Sequence, residues 1–316
     1  VLEMTGYPVG LILVGEYEVP VDLDVEHYIV VSGGHTTRGE EYSELDEEKV
    51  VDFVKGVRNN VSAFAVSSYF SIRNPDHELR IKQIIRNLTD YPVVCGHELS
   101  QDLGVYERGV TAYLNAQLLP ITARFIQSVK SETERRGINA KMRMLKCDGS
   151  IVGINEALEK PIELIFSGPS ASLMGASYLT NLDSCAVIDI GGTSTDVSLM
   201  ENGLPELTET GAVVGGWQTK VRALRMETSA MGGDSHVWVR NQKVNIGPRR
   251  VIPLCVAAEK YPRLVDKLKR ERISSNKQLT ENIQPTKFYT ITEEEPINLT
   301  ETENRILERI ENNEPA

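Results

Sequence analysis

Apolar runs rich in Val and Ile recur at Val9–Val14, His27–Val31, Ala63–Phe70, Pro92–Cys95, Met142–Leu145, Ile162–Phe166 and Ala186–Ile190. Their shortness and β-branched content predict strands. Between them, Asp46–Arg58, Pro75–Leu88, Ser100–Arg136 and Ser170–Leu179 repeat their apolar positions at helical spacing. A turn near Pro120 is expected in the longest of these, because proline removes a helix hydrogen bond. Strand and helix patterns that alternate in this way predict an α/β architecture with sheets covered by helices.

The pattern changes after about Glu259, where the chain becomes polar and charged. Helical periodicity returns at Leu264–Leu268 and at Glu301–Ile310, with Thr300 as the expected N-cap and Glu303 as its reciprocal partner. A chain of 316 residues holds one large domain or two ordinary ones. With 41% hydrophobic and 25% charged residues it reads as an ordinary globular protein. The net charge of −11 argues against a nucleic-acid surface, and the basic stretch Lys267–Arg272 reads as a solvated helix face. No apolar run reaches the length needed to cross a membrane as a helix. Cys95, Cys147, Cys185 and Cys255 form no C-x-x-C pair. Their spacing disfavours a disulfide framework or a zinc module and fits a cytoplasmic setting.

The most informative chemistry lies between Cys185 and Gly203. The residues read as a strand delivering Asp189, a turn at Gly191-Gly192, and a second strand from Thr193 to Met200 that closes at Glu201-Asn202-Gly203. No Gly-Lys-Ser/Thr is present, and a strand rather than a helix follows, so neither a P-loop nor a dinucleotide fingerprint applies. Glycine amides with the hydroxyls of Thr193, Ser194 and Thr195 can surround phosphate oxygens. Asp189 and Asp196, at the two shoulders of the turn, suit Mg²⁺ held directly or through water. A plain polar turn is the alternative use of the same residues.

This segment resembles the phosphate-binding D-x-G-G-T-S-T-D hairpin of the hydantoinase A/5-oxoprolinase family, matching it from Asp189 to Asp196 at every fixed position. Further blocks follow the family's order: Asn74-Pro75-Asp76-His77-Glu78, Tyr106-Glu107-Arg108 with Leu114-Asn115-Ala116, Ser167-Gly168-Pro169 with Gly175-Ala176, and Asn245-Ile246-Gly247-Pro248. Met231-Gly232-Gly233-Asp234-Ser235 stands where the family has a glycine-rich segment on the adenosine side. The family's first phosphate hairpin, of G-G-T-x-T-D type, has no counterpart. Val30–Thr37 echoes it without the aspartates and reads as a surface turn. The family's P-G-P block is also absent.

The resemblance implies an actin-like, sugar-kinase-like ATPase fold of ribonuclease H-like type, incomplete at the N-terminus. It divides the chain into 1–105 (remainder of the N-terminal region), 106–258 (ATPase core with the hairpin) and 259–316 (polar helical extension). It implies ATP and Mg²⁺ as cofactors. Gly191, Gly192, Thr193, Ser194, Thr195, Gly232 and Gly233 would bind ATP, Asp189 and Asp196 would bind the metal, and Asp196 would be catalytic. The implied reaction is ATP-dependent opening of a small cyclic amide of hydantoin or 5-oxoproline type, through phosphoryl activation of the amide oxygen. A B-type subunit is the implied partner, and a homo-oligomer is compatible. An ATP-dependent carboxylase subunit and a non-catalytic ATP-binding regulator or scaffold stand as alternatives.

Other candidates have ordinary readings. His77-Glu78 and His97-Glu98 lack the second His of H-E-x-x-H, and His97 reads as a hydrogen-bonded loop residue or a cleft residue. Tyr106-Glu107-Arg108 reads as a substrate or interface cluster, or as an ion-pair patch on a helix. Asp148-Gly149 reads as a turn, His236 as a packing residue, and Cys185 as a small core residue in a buried strand.

Overall fold

The computed structural model describes residues 6–16, 25–240, 243–270, 288 and 300–307. It is a mixed α/β structure in two compact units, Val1–Val187 with Ser198–Met226, and Ile188–Val197 with Glu227–Ala316.

The first unit is built on four strands, β1 (Val9–Val14), β2 (Tyr28–Val31), β3 (Ala63–Ser68) and β4 (Val93–Cys95), in the order β2-β1-β3-β4 with every pairing parallel. Such a sheet is covered on both faces, because its crossovers are helices. Alternation along the strands assigns the faces. Leu11, Leu13, Ala63 and Ala65 share one core cluster with Val110, Ala112 and Leu114 of a long helix. Ile12, Val14, Phe64 and Val66 share the other with Val50, Val54, Ile81 and Ile85. The latter four belong to α1 (Glu47–Val57) and α2 (Asp76–Leu88). Helix α1 is capped by Asp46, whose carboxylate accepts the Lys49 N–H at 3.0 Å. A short helix, α3 (Gly96–Leu99), follows β4 directly.

The long helix, α4 (Val105–Arg135), corrects two expectations. It starts after Gly104, not at Ser100, and runs through Pro120 without the expected turn. Proline removes one internal bond, but burial of Arg108–Ala116 against the sheet fixes the helix axis before Pro120 is reached. Gly109 allows the close approach, since a Cβ there would sit 2.6 Å from Leu13 Cδ2.

Beyond α4 come β5 (Arg143–Leu145) and β6 (Ile151–Gly153), an antiparallel pair turning at Asp148-Gly149 as expected, then α5 (Ile154–Glu159). The strand expected over Ile162–Phe166 is instead a 3-10 turn, Pro161–Leu164. The Ile162 N–H donates to Asn115 Oδ1 of α4 at 3.0 Å, so a side chain rather than a neighbouring strand satisfies that amide. Phe166 then takes a left-handed conformation and opens α6 (Ser167–Thr180).

Two strands follow, β7 (Cys185–Ile190) and β8 (Thr195–Glu201), with the short β9 (Leu204–Pro205), β10 (Val213–Val214), β11 (Trp217–Gln218) and β12 (Met226–Ser229). The sheet order is β12-β8-β7. Strand β7 is not the buried strand that was expected: Ile188 is 61% and Ile190 71% exposed. It is an edge strand packed on one side only, where Cys185 and Val187 meet Leu173 of α6 and Met200 of β8.

The second unit adds the antiparallel pair β13 (Ser235–Arg240) and β14 (Lys243–Arg250), then α7 (Leu254–Lys260), α8 (Arg263–Arg270) and α9 (Glu301–Leu307). The last two match the expected terminal helices within the described residues, whereas Ile310 lies outside them. Among the described residues no helix is long and apolar enough to cross a membrane.

Two surface readings in the first unit are also corrected. The Val30–Thr37 turn is not a surface feature: His35 is 3% exposed and its ring lies 4.4 Å from that of His77. Arg108 is no exposed ion-pair residue. It is 1% exposed and donates to the carbonyls of Asp102 and Ser68 and to Ser71 Oγ.

Candidate functional site

Strand β7 ends at Ile190 and β8 begins at Thr195, so four residues make the reversal. A link this short joins neighbouring strands only when they are antiparallel. The Gly191 N–H donates to Ser194 O at 2.9 Å and closes the turn. Gly191, Gly192 and Thr193 are exposed at its tip, while Ser194, Thr195 and Asp196 are half-buried.

The loop from Met231 to Ser235 docks on this hairpin. Gly233 N–H donates to Gly191 O at 3.0 Å and Asp234 N–H to Gly192 O at 2.9 Å. Thr195 Oγ1 donates to Met231 O at 2.8 Å. Gly232 is required here by space: a Cβ would lie 2.3 Å from Gly192 O and 2.7 Å from Thr193 N. The seven residues expected on the phosphate and adenosine sides, Gly191–Thr195 with Gly232 and Gly233, thus form one continuous backbone surface. The bare Cα of Gly232 is turned to the hairpin itself. Gly232 N–H donates to Ser235 Oγ at 2.9 Å, and Arg250 binds both Ser235 Oγ (3.1 Å) and Asp234 Oδ1 (2.7 Å), which fixes the loop.

Among the described residues, the N–H groups of Gly192, Thr193 and Ser194 and the hydroxyls of Thr193 and Ser194 have no protein partner. Successive unpaired amides at a tight turn make a concavity for an anion. Asp189 stands exposed one residue before the end of β7, and Asp196 is the second residue of β8. Asp196 Oδ1 accepts the Thr228 hydroxyl of β12 at 2.8 Å, which orients the carboxylate. Thr228 and Arg250 carry no recognisable signal in the sequence, because their roles depend on pairings across more than a dozen residues. Hard carboxylate oxygens beside a phosphate cradle fit Mg²⁺, which takes one or two carboxylates and keeps water in its remaining positions.

His97 sits in α3 as a hydrogen-bonded residue, its Nδ1 2.5 Å from Glu78 Oε2. His236 is 7% exposed and packs within the second unit, consistent with its expected role.

The comparisons with known proteins agree with the motif resemblance. The family model described as "Hydantoinase/oxoprolinase" matches residues 108–300, and that of the "Hydantoinase/oxoprolinase N-terminal region" matches residues 17–89. The alpha subunit of caprolactamase from Pseudomonas jessenii is 26% identical over 278 residues, covering 78% of this chain and 40% of that protein. The gamma subunit of acetophenone carboxylase from Aromatoleum aromaticum is 29% identical over 218 residues, covering 65% of this chain and 29% of that protein. A crystal structure of the ATP-dependent caprolactamase from Pseudomonas jessenii superposes with a TM-score of 0.67 at 25% identity, covering 79% of this chain and 40% of that one. The chain therefore spans less than half the length of these relatives.

Proposed function

Because the chain belongs to the hydantoinase/oxoprolinase family, we propose that it is the nucleotide-binding part of an ATP-dependent enzyme that opens a small cyclic amide. The supporting observation is the unpaired amide row Gly192–Ser194, flanked by Asp189 and Asp196 and backed by the Gly232-Gly233 loop. The reading assigns the chain an actin-like ATPase fold, with the β7–β8 hairpin as one of its phosphate-binding turns.

In this reading the amides of Gly192, Thr193 and Ser194 and the hydroxyls of Thr193 and Ser194 hold phosphate oxygens. They oppose the charge that develops when a phosphoryl group moves. Thr195, its proton committed to Met231 O, contributes rigidity to the turn and leaves phosphate contact to the hydroxyls before it. Asp189 and Asp196 would hold Mg²⁺, which would supply charge neutralisation. Asp196, with one oxygen fixed by Thr228, orients the attacking water through the other. The γ-phosphoryl group of ATP would pass to the amide oxygen with release of ADP; water then adds at the activated carbon, the ring C–N bond breaks as its nitrogen takes a proton, and hydrolysis of the resulting acyl phosphate releases phosphate and the free carboxylate. A B-type subunit completes the enzyme in this account.

A carboxylase reading uses the same activation of a carbonyl oxygen, and the similarity to the acetophenone carboxylase gamma subunit favours keeping it as the second reading. The test is phosphate release from the chain assembled with a B-type partner. The substrates are 5-oxoproline, hydantoin and a medium-ring lactam, with bicarbonate and a ketone as a separate arm. Lactam-stimulated release supports the amidase. Release only with bicarbonate and ketone selects the carboxylase. Asp196→Ala should abolish release in either arm, and ring opening without ATP would overturn the account.

A further inference from the structure

In the first unit, three donors of different chemistry converge behind the parallel sheet: Glu78 of α2, Cys95 at the end of β4 and His97 of α3. One ligand atom from each lies within 4.8 Å of the other two. Glu78 and Cys95 are fully buried, and the His97 side chain is 17% exposed. We propose that this triad binds a transition-metal ion of the zinc class, through the Glu78 carboxylate, the Cys95 thiolate and His97 Nδ1.

The donor set is the first argument. Thiolate, imidazole and carboxylate together suit Zn²⁺ or Co²⁺ and are foreign to Mg²⁺. The second is charge. A carboxylate removed from water needs a compensating cation. Among the described residues Glu78 has no Lys or Arg salt bridge, and its ion-pair partner is His97 at 2.5 Å. Lys82, the nearest lysine on the same helix, is committed to Glu98 at 2.6 Å.

The third argument is preorganisation. Glu78 Oε1 is held by the Ser68 N–H at 2.8 Å, and Oε2 accepts the His97 N–H at 3.1 Å and faces His97 Nδ1 at 2.5 Å, which orients the carboxylate and leaves a lone pair on Oε1. Cys95 is fixed by its own N–H to Glu98 Oε2 at 3.2 Å. Ser68 Oγ, fully buried and adjoining Glu78 through that N–H, has no hydrogen-bond partner. A metal-bound water is the kind of partner such an orphaned hydroxyl takes. On binding, the Cys95 thiol proton passes to solvent. His97 binds as the Nε2–H tautomer, with the Nδ1 lone pair on the metal. Binding is therefore stronger at higher pH.

Cobalt reads this out directly. The tag-free chain, stripped with chelator and titrated with Co²⁺, should take up one ion with a thiolate-to-cobalt charge-transfer band and the intense visible bands of tetrahedral coordination. Excess Mg²⁺ should leave the spectrum unchanged. Cys95→Ser should remove the charge-transfer band, and His97→Gln should weaken uptake at least tenfold. A folded parent chain that gives no thiolate band overturns the assignment, with no variant needed. A band that survives Cys95→Ser, or that Mg²⁺ displaces, overturns it as well. Neither readout depends on nucleotide or on turnover.

Discussion

Gly232 and Gly233 are neighbours with opposite tolerances. A Cβ at Gly232 would penetrate the backbone of Gly192, whereas one at Gly233 meets Gly191 O at 3.9 Å, an ordinary contact. Gly232→Ala should therefore cost about 1–3 kcal/mol by overpacking and lower nucleotide affinity at least tenfold, while Gly233→Ala leaves stability near the parent. Denaturation curves and titration with a non-hydrolysable ATP analogue check both. The sequence marked both glycines but could not say which one the hairpin needs. The clash is set by a contact between residues 40 positions apart.

Asp148 carries a pH dependence of known sign. Burial pushes its carboxyl up, but the Ser150 hydroxyl and N–H and the Lys146 ammonium outweigh this and hold it below its usual 3.8. A depressed carboxyl adds stability above its unfolded value and loses it as pH falls through the folded one. Ser150→Ala should thus be less stable than the parent at neutral pH, with the gap closing as the medium falls below pH 3.8. Denaturant midpoints across that range provide the check. A gap that persists in acid would assign the loss to packing instead.

At the scale of elements, the hydrophobic period was a good guide wherever burial decides structure. The strands at Val9–Val14 and Ala63–Ser68 and the helices over Glu47–Val57 and Asp76–Leu88 fall where the pattern places them. It misled where longer-range interactions outweigh local preference. Asn115 diverts Ile162 from a strand, and the buried half of α4 carries the helix past Pro120. The cap of α1 came from the structure rather than from the sequence, and it is measurable. Asp46→Ala should lower stability by about 1 kcal/mol, because the Lys49 N–H loses its acceptor. Urea unfolding followed by circular dichroism reads the change, and an unchanged midpoint would remove Asp46 from the cap. No single short motif joins the Glu78–Cys95–His97 triad, since its donors come from two helices and a strand end.

For the whole molecule, the two compact units divide the roles. The first contains the parallel sheet, and the second gathers the hairpin and the loop that docks on it. The resemblance of the ordered motif blocks, from Asn74-Pro75 to Gly247-Pro248, located the family correctly. Substrate was not legible, because the proposed activation of a carbonyl oxygen would serve lactam opening and ketone carboxylation alike. The central claim is that the turn at Gly192–Ser194 grips phosphate. The most direct measurement is amide chemical-shift mapping of the chain with Mg²⁺ and a non-hydrolysable ATP analogue. The account predicts the largest shifts at Gly192, Thr193 and Ser194, lost in Asp196→Ala. Saturable binding that leaves these three amides unmoved would contradict it.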